Sequence, residues 1–121
     1  MTQTSRQALI ELLFLALYLD DFLSLAEDEL LGEALDELGW ESPTSREIFI
    51  FSAFSAAREA AACPTKTGQF LNERADIIHA DGEDAAAMTW LHNILAADGL
   101  TANEEHFLGQ LQAKLYPNPI L

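Results

Sequence analysis

Two stretches of this sequence carry the same pattern of oxygen-bearing side chains. The first runs Asp21-Phe22-Leu23-Ser24-Leu25-Ala26-Glu27-Asp28-Glu29-Leu30-Leu31-Gly32. The second, at an offset of 77 without gaps, runs Asp98-Gly99-Leu100-Thr101-Ala102-Asn103-Glu104-Glu105-His106-Phe107-Leu108-Gly109. Asp, Leu, Glu, Leu and Gly recur identically, Ser pairs with Thr, Asp with Glu, and Leu with Phe. Hard cations such as Ca²⁺, Mg²⁺ or Mn²⁺ take carboxylate and carbonyl oxygens from a flexible loop. Asp98, Glu104 and Glu105 offer such a set in the second copy. Asp21, Glu27 and Asp28, beside Asp20, offer one in the first. The spacing is not that of an EF-hand. The same residues have a purely structural reading. Ser24 with Glu27, and Thr101 with Glu104, have capping-box spacing, in which the hydroxyl and the Glu each satisfy a backbone N–H at a helix start. That reading leaves Asp21 and Asp98 as mere helix terminators, and both readings stay open.

Other candidates for chemistry are sparser. His79, His92 and His106 are possible soft ligands, and Asp76 with His79 sits at i, i+3 on one predicted helix. A di-metal bundle needs two such pairs and further carboxylates, and the sequence holds one. Cys63 stands alone near a predicted helix C-terminus, where the dipole disfavours a thiolate. Ser52 and Ser55 read as small residues allowing close helix contact rather than as nucleophiles. Trp40 and Trp90 read as core or near-core. No glycine-rich phosphate loop is present.

The elements that must position these residues are helices. There are 20 Leu, 19 Ala and 7 Ile, and no Val; strong helix formers are abundant and β-branched residues scarce. Periodicity and caps predict helices over about 5–20, 25–38, 45–62, 67–80, 82–97 and 102–115. The first is apolar nearly all round and therefore central. The second presents Leu30, Leu31, Ala34, Leu35 and Leu38 on one stripe and ends at Gly39. The third is expected to be capped by Thr44, with Ile48, Phe51, Phe54 and Ala57 or Arg58 inward. Phe70, Leu71, Ile77 and Ile78 face the core from the fourth. Met88, Leu91, Leu95 and Trp90 do so from the fifth, capped by Asp81. Phe107, Leu108, Leu111 and Leu115 do so from the sixth. The expectation is all-α: a compact single-domain bundle over residues 1–121, of about six helices, with two pseudo-symmetric helical hairpins from the repeat.

Composition narrows the function classes. The net charge is −14, which repels phosphate backbones and anionic membrane surfaces and attracts cations or basic proteins. Nucleic acid is therefore not an expected partner. The longest apolar run, Leu12 to Leu19, is far short of a bilayer span. A single cysteine and no basic, cleavable leader point to a reducing, cytoplasmic setting.

The run Ala96-Ala97-Asp98-Gly99-Leu100-Thr101-x-x-Glu104, following an apolar helix, resembles the signature of the TerB-like family, which takes in tellurite-resistance TerB and the DjlA N-terminal domain. Leu19-Asp20-Asp21-Phe22-Leu23-Ser24-x-x-Glu27 resembles it too, with Phe22 where Gly is usual. The resemblance extends over the chain in length and helix order. It implies internal pseudosymmetry, an acidic face that takes divalent cations, and a bacterial stress-response setting including tellurite resistance. It implies no reaction and no organic cofactor. The expected function is a non-enzymatic module binding divalent cations, partner proteins or both. The alternatives are an acidic protein-interaction adaptor without metal, and a carboxylate-metal enzyme.

Overall fold

A computed structural model describes residues 2–20, 32–33, 35–96 and 101–115. It is a compact bundle of helices, with no strand among the described residues. The helices are α1 (Gln3–Asp20), α2 (Arg46–Ala61), α3 (Pro64–Ala80), α4 (Asp84–Leu95) and α5 (Ala102–Leu115). Residues 35–38 are also helical and end at Gly39. The loops of both repeat copies, and with them the proposed hairpin symmetry, lie outside the described residues.

The centre is α1, as its all-round apolarity demands. Leu9, Ile10, Leu12, Leu13, Phe14 and Leu15 have no exposed surface, so every face of the helix is covered. It packs most extensively on α2 and α3, and also touches α4 and α5. Phe14 stacks on Phe54 of α2 with centroids 4.0 Å apart, and Tyr18 meets the same ring edge-on at 6.0 Å. Arg74 of α3 reaches Glu11 at 3.2 Å while its guanidinium lies 3.8 Å from the Phe70 ring centre. Around this helix the inward residues of α5 are Phe107, Leu108, Leu111 and Leu115, all buried as their spacing predicts. In α3, Phe70, Leu71 and Ile78 are buried and Ile77 half-buried; in α4, Leu91 and Leu95 are joined by Ala87 and Ile94, with Met88 and Trp90 half-buried.

The turns explain the boundaries. Gly39 has φ +84°, and a Cβ there would also meet the Arg6 guanidinium. Arg6 in turn donates to the Leu38 carbonyl at 2.8 Å and pairs with Glu41 at 3.2 Å, tying the end of residues 35–38 to the start of α1. Pro64 both ends α2 and begins α3, since proline at the first helical position forfeits no intrahelical bond. The short α2–α3 turn is closed by Thr67, whose hydroxyl donates to the Ala60 carbonyl at 2.7 Å.

Four local expectations are corrected. The cap of α2 is Ser45, not Thr44: the Ser45 hydroxyl accepts the Ile48 N–H at 3.2 Å. Asp81 does not cap α4; Glu83 holds that position, and Asp81 sits at the C-cap of α3. Its carboxylate accepts hydrogen bonds from Ser5 and Thr2 at the start of α1 instead. The inward face of α2 is Ala53, Ala57 and Ala60. Ile48, Phe51 and Arg58 are exposed, as are Ser52 and Ser55; alanines, not serines, give α2 its close approach. At about 100° per residue, Phe51 lies roughly 200° around the helix from Ala53, and Ile48 about 180° from Ala57.

Candidate functional site

The predicted acidic site is partly in view. Asp21, Glu27, Asp28 and Asp98 lie outside the described residues. Glu104 and Glu105 stand in the first turn of α5. Thr101 and Glu104 form the reciprocal capping box: the Glu104 N–H donates to the Thr101 hydroxyl at 3.1 Å, and the Thr101 N–H donates to Glu104 Oε1 at 3.1 Å. Glu105 is exposed, whereas Glu104 is only 1% exposed. One box oxygen is thus accounted for by backbone chemistry alone. The other, Oε2, is buried and has no hydrogen-bond partner among the described residues. A buried carboxylate oxygen normally finds a donor or a cation. No group of three or more His, Cys, Asp or Glu side chains converges among the described residues.

The histidines are arranged differently from the sequence expectation. His79 does not pair with Asp76, which is exposed; its Nδ1 lies 2.7 Å from Asp84 Oδ2 across the α3–α4 turn. The turn between them contains Gly82 at φ +70°. His92 and His106 are exposed.

Among the described residues, two titrating groups carry clear shifts. The hydroxyls of Ser5 and Thr2, both donating to Asp81, hold its carboxyl below the usual carboxylate range. The N–H groups of Lys66 and Thr65, at the start of α3, pull the Cys63 thiol below its ordinary value. This reverses the expectation for Cys63. It occupies the N-cap of α3, so the helix it belongs to electrostatically is the following one, and the dipole favours the thiolate.

The outer face of α2 is the site that sequence reasoning missed. Phe51 is 78% and Ile48 63% exposed, one turn apart. Glu47, also exposed, stands one turn before Phe51 on the same face. Phe49 and Ile50 are half-buried beside them, with Trp40 5.3 Å from Phe49. The available signal was that α2 carries two apolar stripes, one of alanines and one of large side chains. A helix buried on one side hides only one of them.

No helix among the described residues is long and apolar enough to cross a membrane. No family model, characterised protein or solved structure matches the chain.

Proposed function

We propose that this chain is a non-enzymatic, TerB-like module that binds a partner protein through the outer face of α2. The observation that carries the reading is the exposed pair Ile48 and Phe51. Single exposed apolar residues are ordinary, but adjacent large ones on a helix mark contact surfaces. Two such side chains at i, i+3 have the spacing of anchor residues in helix-mediated recognition. Ala53, Ala57 and Ala60 fix the opposite face in the core, so the pair is presented on a rigid element. The net charge of −14 favours a partner of basic character, and Glu47 and Arg58, both exposed on this face, offer it one charge of each sign. The TerB resemblance adds a bacterial, cytoplasmic stress setting to this proposal.

The test is a photo-crosslinking residue placed at position 51 in cells, with position 76 as an exposed control. The expected adduct forms at 51 and not at 76. The reconstituted partner should bind the wild-type chain less tightly as salt rises, and Phe51→Ala with Ile48→Ser should weaken it. Equal adducts at 51 and 76, or affinity indifferent to the double variant, would refute the reading.

Glu104 Oε2, which finds no partner among the described residues, favours a second reading, a divalent cation bound ahead of α5 by Glu104 with Glu105 and Asp98. Saturation to about 100 times the dissociation constant should stabilise the fold by about 2.7 kcal/mol. Melting with Ca²⁺, Mg²⁺ and Mn²⁺ against chelator tests it; no shift beyond that of monovalent salt rules it out, and Glu104→Gln should abolish any gain.

A further inference from the structure

A groove of about 580 Å³ runs between α3 and α5, within the ~300–1,000 Å³ range of small-molecule sites. Its apolar lining includes Leu19 from α1, Leu71 from α3 and Phe107 from α5. Gly68 opens its middle. This glycine is in the interior of α3, where glycine is a poor helix residue, and nothing lies within 4 Å of a Cβ built there. No backbone need explains it, because its φ is not positive. A side chain at 68 would therefore project into open space along the groove.

The charge of this groove runs against that of the chain. The protein has 20 acidic residues and 6 Lys and Arg, yet no Asp or Glu stands among the described residues lining the groove. The ionisable groups among those described residues are His106 and Lys114, two turns apart along one wall of α5. Lys114 is exposed and makes no ion pair with any described residue. An apolar floor whose rim carries an ammonium without an ion-pair partner among the described residues, inside an otherwise anionic molecule, selects a ligand that is apolar along its length and anionic at one end.

We propose that the α3–α5 groove binds a small amphipathic carboxylate of the fatty-acid class. The alkyl chain lies over Leu71 and Phe107 past Gly68, and the carboxylate sits at Lys114. The site is separate from the outer face of α2, and its occupancy does not depend on the partner reading.

The experiment titrates the full chain with sodium decanoate below its micellar concentration. Amide chemical shifts are the readout, with decanol and decyltrimethylammonium as neutral and cationic comparators. Decanoate should saturate one site with shifts confined to α3, α5 and the end of α1, and should bind more tightly than either comparator. Lys114→Glu, an exposed substitution that spares the core, should weaken decanoate about tenfold, the equivalent of ~1.4 kcal/mol, and leave decanol unchanged. Gly68→Leu, checked for fold by circular dichroism, should abolish binding of both by filling the groove, while Phe51→Ala should leave both unchanged. The proposal is overturned if decanoate does not saturate or if its shifts map to α2. Decanol binding as tightly as decanoate, with Lys114→Glu silent, would mean an apolar groove without carboxylate preference and would overturn it equally.

Discussion

Truncating Phe51 and truncating Phe14 should have very different consequences, although both are phenylalanines on neighbouring helices. Phe51 is 78% exposed, so about a fifth of a side chain worth ~200 Å² is covered, roughly 45 Å². At ~25 cal/mol per Å² that burial contributes about 1 kcal/mol. Alanine recovers a few tenths of a kcal/mol through its better helix propensity. Phe51→Ala should therefore cost about 0.5 kcal/mol. Phe14 is fully buried and stacked 4.0 Å from Phe54, and Phe14→Ala should cost about 3–5 kcal/mol, the transfer loss plus the cavity. Urea unfolding followed by helical ellipticity gives both numbers, and an unchanged m-value shows that the denatured state has not altered. A cost for Phe51→Ala of 3 kcal/mol or more would mean that Phe51 faces the core, as the sequence pattern first suggests. The orientation of α2 and the partner surface built on it would then both be wrong.

Other outcomes follow from the caps and the titrating groups. Thr101→Ala should cost about 1 kcal/mol, because the Glu104 N–H loses its acceptor at the start of α5. Glu104→Gln keeps an acceptor for the Thr101 N–H and should cost only the ~0.3–1 kcal/mol of the dipole interaction in the absence of metal; urea melts of both variants check this. Asp81 titrates below its unfolded value, so its contribution is present above the ordinary carboxylate range and is lost as pH falls through the folded pKa. Ser5→Ala should lower the melting temperature at neutral pH, and the gap to wild type should close on strong acidification; a gap that stays constant would contradict the Ser5–Asp81 bond. Cys63, with its thiol pulled down by the α3 amides, should be alkylated by iodoacetamide with a pH midpoint below that of a free cysteine peptide. A midpoint at or above the peptide's would place the thiol away from those amides.

The sequence by itself determined the described helices and most of their ends. Leu and Ala dominate it, and local chemistry ends the helices without help from neighbours: the Thr101–Glu104 box, the left-handed Gly39, and Pro64 at a helix boundary. It also determined the faces of α1 and α5. All sides of α1 are apolar, and Phe107, Leu108, Leu111 and Leu115 lie opposite a polar face, so one orientation serves. For α2 the periodicity is satisfied by two stripes. Only the tertiary structure decided between them, because small alanines let α2 approach α1 closely enough for Phe54 to stack on Phe14. That approach leaves Ile48 and Phe51 outside. Tertiary contact likewise underlies the misplaced Asp81, whereas the Cys63 shift is local, from the Lys66 and Thr65 amides. Asp81 is claimed by hydroxyls far away in the chain, and the polarity felt by Cys63 depends on which helix its backbone enters. The groove of α3 and α5, with no acid among its described lining residues, likewise exists only once these two helices are packed side by side. A helical period fixes the angle of each side chain about its own axis; which angle faces inward is set by the shape of the neighbour.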